Sequence, residues 1–287
     1  MNRRHFLGTG IAGAISLHHF PHHLFAAAQP KNAYDRVTLG PRQIEVSRMA
    51  MGTGTNGSNG SSNQTRKLGY HGVAELLRAG FDQGITFWDS ADQYGSHTYI
   101  REALKTVPRE KIVILTKTNT TTAAAMKADI DRYRRELGVD YIDVLLLHAQ
   151  QAADWNVRMR PCMDVISEAR ERGLVRSHGT SCHSLQALKT AAAEPWVEVD
   201  LARLNPAGLH MDSDPQTVIG VLRQMRQAGK GVVGMKILGQ GDLRAKADEA
   251  LQFALAQDCL SAITIGSESR GNMEDLLRKI PAASVRG

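Results

Sequence analysis

Four side chains in this sequence have the types and spacing to move a proton. Asp89 and Tyr94 lie five residues apart within 86–95, TFWDSADQYG. That run opens with the strand-forming triplet Thr86-Phe87-Trp88 and closes in a turn cluster, Asp92-Gln93-Tyr94-Gly95. Lys117 ends the apolar run 112–117, IVILTK, and His148 follows 142–147, IDVLLL. A phenol with a pKa of about 10 is a poor acid or base at neutral pH. An ammonium beside it favours the phenolate and lowers that value. A carboxylate then holds the lysine and offsets its burial. A neutral imidazole can hydrogen-bond the reacting oxygen and orient it. Together these groups make a proton donor aimed at a carbonyl oxygen. The sequence shows no activated nucleophile and no metal cage, so a hydride is expected from a cofactor. Singly, each residue has a bland reading: a His after an apolar strand is more often a satisfied core residue, and a strand-end Lys is usually solvated. Four of them at the same end of three consecutive predicted strands argue for convergence.

The elements that must position them alternate. The pattern predicts helices over 71–83, 97–106, 122–137, 160–172, 184–193, 214–228, 241–257 and 271–279. Between them it predicts strands over 85–89, 112–117, 142–147, 175–180, 198–204, 231–236 and 262–266. With a strand at 48–52 this makes eight strands, each followed by a helix. The strands are short, apolar and β-branched, as when both faces are covered. The natural closure is an α/β fold, a (β/α)8 TIM barrel over residues 34–287, whose strand C-termini meet on one face. A doubly wound open sheet is the alternative, weakened by the lack of a Gly-x-Gly-x-x-Gly turn between a strand and a helix. Upstream, Arg36–Leu39 and Ile44–Ser47 flank Gly40-Pro41-Arg42, an N-terminal β-hairpin signal. The polar stretch 53–63, TGTNGSNGSSN, reads as a flexible linker or as a loop at a ligand mouth. The second reading is preferred because an amphipathic helix starts soon after, at His71.

The 287 residues, 42% hydrophobic and 22% charged, are ample for a sizeable core. The net charge of +6 includes Arg3 and Arg4 of the first 28 residues, which carry no acid. This mild basicity suits a polyanionic small molecule. It does not suit nucleic acid, because no Lys/Arg cluster with interleaved aromatics is present. Residues 1–28 read as a signal peptide. Asn2-Arg3-Arg4-His5-Phe6-Leu7 resembles the twin-arginine export signal, a weakly apolar run follows to Leu17, and Ala26-Ala27-Ala28 precedes Gln29-Pro30 as a cleavage site. The expectation is passage through the twin-arginine machinery to the periplasm, with no membrane span in the mature chain. If the leader does not function, the protein stays cytoplasmic. A disordered tail is the competing reading, since His18, His19, His22 and His23 make the run unusually polar. Cys162, Cys182 and Cys259 show no zinc spacing and, being odd in number, no disulfide framework; free thiols are expected, two of them buried.

Over roughly residues 34–280 the chain resembles the aldo-keto reductase family. Asp89, Tyr94, Lys117 and His148 match its catalytic tetrad in order and spacing. The flanks match too: Val46-Ser47-Arg48 after the hairpin, the run 84–91 GITFWDSA, the run 137–143 LGVDYID, and Gly173-Leu174-Val175-Arg176 before Gly179-Thr180-Ser181. The resemblance implies reduction of an aldehyde or ketone, or the reverse reaction. Tyr94 would be the general acid, Lys117 would depress its pKa while paired to Asp89, and His148 would position the carbonyl. It implies NADP(H) across the strand C-termini, with NAD(H) not excluded. Gly54 and Thr55 would lie near the nicotinamide ribose and Ser181 would hold the carboxamide. Cys182, Met235, Lys236, Leu238, Gly266, Ser267 and Asn272 complete the implied cofactor contacts.

Several of these depart from the family. Cys182 stands where Asn is usual, Leu201 in place of a Gln, Met235 in place of a stacking Tyr, and Gly266 where a basic residue often meets the 2′-phosphate. Met235 can still give an apolar floor. Lys236 either faces the pyrophosphate or is solvated. Few residues remain for a long C-terminal lid, so the pocket is expected to be open or formed by 53–68 and 149–159. Trp155 is there either as a wall or as a structural aromatic. The departures keep open a non-catalytic dinucleotide-binding barrel acting as a sensor or docking subunit. A barrel isomerase or hydrolase is disfavoured by the absence of a metal ligand cluster or paired catalytic carboxylates.

Overall fold

Eight short strands close on themselves in a computed structural model that describes residues 29–285. The proposed leader, 1–28, lies outside the described residues. The barrel strands are β3 (Met49–Gly52), β4 (Phe87–Asp89), β5 (Val113–Thr118), β6 (Ile142–Gln150), β7 (Val175–Cys182), β8 (Val199–Arg203), β9 (Gly231–Met235) and β10 (Ala262–Gly266). They pair in parallel in chain order, and β10 closes onto β3 with Ile263 opposite Met49. Parallel neighbours need a crossover, and here helices supply it. These are α1 (Asn63–Asp82), α2 (His97–Leu104), α3 (Ala123–Leu137), the short α4 (Trp155–Arg158), α5 (Arg160–Glu171), α6 (Leu185–Ala193), α7 (Pro215–Gln227), α8 (Ala247–Leu255) and α9 (Arg270–Ser284).

Strand alternation sorts side chains into two cores. On β6, Val144 and Leu146 join the barrel interior, while Leu145 and Leu147 join the layer beneath the helices. The predicted hairpin is present: β1 (Arg36–Leu39) pairs antiparallel with β2 (Ile44–Ser47). Leu39, Ile44 and Val46 pack with the interior residues, plugging the N-terminal end of the barrel. Gly40 turns the hairpin at φ 65°, and a Cβ there would stand 2.8 Å from Glu198 O, so the turn needs glycine.

Three segments differ from the sequence expectation. α1 begins at Asn63, not His71, because Ser62 and Thr65 form a reciprocal cap. The non-helical Gly69 (φ 66°) then kinks it, which interrupts the apolar period. The helix expected from Gly241 begins at Ala247; residues 239–246 instead make two 3-10 turns, with Gln240 and Gly241 at positive φ. Trp155 is buried, its Nε1 donating to Ala187 O at 3.1 Å, so it packs α4 against α6 as a structural aromatic. All three cysteines are buried free thiols. Among the described residues, no helix is long and apolar enough to cross a membrane.

Candidate active site

The C-terminal ends of β4, β5 and β6 bring the four chemistry-bearing side chains together. Lys117 is fully buried on β5, and its Nζ donates to Asp89 Oδ1 at 2.5 Å and to Ser90 O at 2.6 Å. Asp89 Oδ2 accepts from Thr264 Oγ1, across on β10, at 2.9 Å. The carboxylate is thus held from two strands, and the ammonium from one side. On its other side Nζ lies 4.8 Å from the centre of the Tyr94 ring. Tyr94 sits in a single 3-10 turn, Asp92–Tyr94, which ends on the left-handed Gly95. The ring is seated on glycines: a Cβ on Gly54 or Gly57 would come within 2.1 or 2.3 Å of it. His148 meets Tyr94 nearly edge-on, with centroids 5.7 Å apart and planes at 82°.

Burial and charge set the protonation states. Burial is the largest influence on Tyr94 and pushes its pKa up; the Lys117 charge pulls it down and Asp89 pushes it up again. The net direction is upward, opposite to the acidic phenol expected from the sequence. Desolvation outweighs the ammonium, so Tyr94 keeps its proton at neutral pH. Burial would discharge Lys117, but Asp89 and Tyr94 outweigh it and its pKa rises. Burial, then the charges of Lys117 and His183, holds His148 well below its usual value, so the ring is neutral. His148 Nδ1 faces Asn119 Oδ1 at 3.2 Å. A half-turn of that amide exchanges acceptor for donor and so switches the imidazole tautomer. The ring can then offer Nε2 as donor to a carbonyl or as acceptor from an alcohol.

Beside this cluster is a cavity of about 740 Å³, counting its open mouth, with Asp89 and Tyr94 in its wall. Six of the cofactor residues expected from the sequence line it: Gly54, Thr55, Met235, Lys236, Leu238 and Gly266. Four do not. Ser181 is buried, its Oγ accepting from Ala149 N at 2.9 Å. Cys182 packs in the layer between barrel and helices. Ser267 is buried beside the cap of α9, and Asn272 is exposed on the first turn of α9. Sequence reading missed Asn56, Gln240, Arg244 and Thr264, which also line the cavity. Arg244 falls in the segment read as helix, 241–257, and Gln240 lies just before it. The alternation in AITIG does place Thr264 on the same face as Ala262 and Gly266, but nothing in the sequence pairs it with Asp89. Outside the cavity, Asp92, His97 and Glu136 approach one another at cation-ligand distances. Arg132 already bridges that group, bonding Asp92 Oδ1 at 2.8 Å and Glu136 Oε1 at 3.0 Å.

The family model described as the Aldo/keto reductase family matches residues 48–280. The chain belongs to the aldo/keto reductase family. Among curated relatives, a Glycine max protein named as a probable aldo-keto reductase is 29% identical over 220 residues, 71% of this chain and 60% of its own length. A D-threo-aldose 1-dehydrogenase from Pseudomonas sp is 23% identical over 58% of this chain and 59% of its own. The aligned regions thus span less than two thirds of these reductase-family relatives. Among solved structures, an aldo-keto reductase from Bacillus halodurans in its holo form superposes with a TM-score of 0.69 at 18% identity, covering 86% of this chain and 90% of that one. That likeness is one of fold.

The lining of this aldo/keto reductase cavity fits a nicotinamide dinucleotide in its chemistry. Met235 and Ile265 offer apolar surface, Gly52, Gly54 and Gly266 offer backbone at close approach, and Arg244 offers a cation for phosphate. A Cβ on Gly266 would stand 2.3 Å from Thr55 Oγ1, so only glycine lets the loop after β3 close against β10.

Proposed function

We propose that the protein is an NAD(P)H-dependent oxidoreductase that interconverts an aldehyde or ketone and its alcohol, with Tyr94 as the general acid. The observation that carries the reading is the buried Lys117 ammonium, bonded to Asp89 on one side and facing the Tyr94 ring on the other. When bound, the nicotinamide supplies the hydride that reaches the carbonyl carbon. Tyr94, still protonated at neutral pH, gives its hydroxyl proton to the carbonyl oxygen. The phenolate left behind is stabilised by the Lys117 charge, and Asp89, steadied by Thr264, keeps that lysine protonated. His148, neutral, hydrogen-bonds the carbonyl oxygen and sets its direction. Thr55, Leu238, Gly266 and Arg244 would hold the dinucleotide, and Met235 would give it an apolar surface. NADP(H) is the first choice by family habit; NAD(H) is the competing choice. The name of the Pseudomonas relative, a D-threo-aldose 1-dehydrogenase, supports the oxidative direction of this reaction.

The test is turnover of an aldehyde and ketone panel, followed by NAD(P)H absorbance. Tyr94→Phe should abolish it. Unchanged rates in that variant would sink the assignment. NADPH and NADH titrations by tryptophan fluorescence separate the catalyst from a non-catalytic dinucleotide sensor, which would bind without turning over. We further propose export through the leader. Activity in the periplasmic fraction that moves to the cytoplasm in an Arg3→Lys, Arg4→Lys double variant would support it; an unprocessed, wholly cytoplasmic protein would not.

A further inference from the structure

Near the C-terminal ends of four consecutive strands stand side chains of basic type: His148 two residues before the end of β6, His183 just after β7, Arg203 at the end of β8 and Lys236 just after β9. The last two are the cations, and they are unequally answered. Arg203 pairs with the buried Asp212 in the loop after β8. Lys236 is half-buried and lines the same cavity as Tyr94, yet among the described residues its Nζ has no hydrogen-bond partner. Two cations therefore share one carboxylate. Asp212 Oδ2 and Arg203 Nε are themselves buried without a partner. The ammonium has no acceptor among the described residues, and a bound anion would give it a charge-assisted hydrogen bond inside the cavity.

The backbone holds the lysine there. Lys236 is a non-glycine residue at φ 56°. Its carbonyl oxygen accepts from Gly239 N at 2.8 Å and from Asn205 Nδ2 at 3.3 Å, which fixes the turn. Such a conformation is strained for a residue with a side chain and persists where the surroundings impose it, often at ligand sites. Burial and the Arg203 charge lower the Lys236 pKa to about 8, with Asp212 opposing.

The missing partner distinguishes it from Arg244. Arg244 pairs with Glu268, beyond β10, at 3.1 Å. Among the described residues Lys236 has no such partner: burial first, then the charges of Arg203 and Lys236, lowers the half-buried His183 to about 4. The His183 ring lies 6.5 Å from His148, which abuts Tyr94. Lys236 and Tyr94 thus line one cavity, with Arg203 and the two histidines at the neighbouring strand ends.

The geometry points to an anion-binding position at Lys236, backed by the Arg203–Asp212 pair, that holds a carboxylate or phosphate group of the substrate while its carbonyl faces Tyr94. The inference rests on the carbonyl-reducing reading and narrows its substrates to anionic carbonyl compounds.

The test compares two aldehydes of similar shape, 4-carboxybenzaldehyde and its neutral ester methyl 4-formylbenzoate, on the full chain. Wild type should favour the acid at least tenfold in kcat/KM. Lys236→Met, or Lys236→Gln if the first variant does not fold, should bring that ratio to within threefold of one, and Lys236→Arg should retain a preference. A wild-type ratio near one overturns the proposal. So does a ratio that survives Lys236→Met while NADH and NADPH binding weakens tenfold, which would give the ammonium to the cofactor diphosphate. If neither aldehyde is reduced, the reductase reading fails first. Calorimetric titration with 4-(hydroxymethyl)benzoate then still decides: tenfold tighter binding to wild type than to Lys236→Met supports the anion position, and equal or absent binding overturns it.

Discussion

Asp143 and Asp89 are both buried strand carboxylates, at opposite ends of the barrel, and their surroundings differ in kind. Asp143, near the start of β6, accepts from Arg109 at 2.6 Å, Arg176 at 2.7 Å and the Ile114 backbone N–H at 2.9 Å. Its neighbour at that end, Glu198, accepts from Arg42, Arg170 and Ser177. The guanidinium groups reach from the surface, and the hairpin closes the end. At the mouth, Asp89 meets a lysine that is itself buried, Lys236 has no acceptor, His148 and His183 are held neutral, and Ala149 and Lys236 adopt left-handed backbone. One end satisfies its charges within the chain. The other keeps a lysine with no acceptor among the described residues, open to the cavity. This is the division between stability and chemistry expected of the two faces of such a barrel.

The largest effect that tests the contrast is at the mouth. Tyr94→Phe should lower kcat/KM by about 1,000-fold, within the range of a lost general acid, while the melting temperature stays near that of wild type. An equal loss of stability would mean that the mouth is structural too. The opposite result belongs at the base. Asp143→Ala removes the acceptor of the Ile114 N–H and the carboxylate partner of Arg109 and Arg176, and should cost about 3 kcal/mol in urea unfolding, with kcat/KM changed less than twofold. A matching collapse of activity would show that the two ends are coupled.

Gly54→Ala sharpens the comparison next. The added Cβ pushes the Tyr94 ring off its seat, and a displacement of about 1 Å from reacting geometry costs roughly 100-fold in rate. Little change in kcat would mean that the ring relaxes without loss. The smallest effect lies between the ends, at Asp200 on β8, a buried carboxyl with neither oxygen hydrogen-bonded. Burial first, then the Asp212 charge, raises its pKa to about 8, with Lys230 opposing. The folded protein keeps this proton after the unfolded chain, ionising at about 4, has lost it. Stability from this group therefore falls as pH rises between those values. From pH 5 to 6, wild type should lose about 1.4 kcal/mol more than Asp200→Asn, one proton's worth of linkage. Parallel pH slopes for the two proteins would place a partner on Asp200 in solution.

Much of this was legible before any coordinates. The hairpin, the eight strands and the strand ends carrying Asp89, Lys117 and His148 follow from local pattern, because apolar runs of strand length between helical periods leave few alternatives. What escaped sequence reading was non-local or masked by glycine. The start of α1 was hidden by Gly69, and 241–246 read as helix although the positive-φ residues Gln240 and Gly241 turn the chain there. Thr264 lies 175 residues from Asp89, its hydrogen-bond partner. The direction of the Tyr94 shift was misread because neighbouring types suggest charge, whereas burial, which wins, is not a local property.

The sequence by itself determined the order of the elements and placed a carboxylate, a phenol, an amine and an imidazole at the ends of successive strands, since periodicity and turn residues act over a few positions. Only the closed barrel decided which of them meet, which keep their protons and which cation is left without an acceptor. Those outcomes depend on solvent exclusion and on distances between residues far apart in the chain, and both arise only when β10 joins β3.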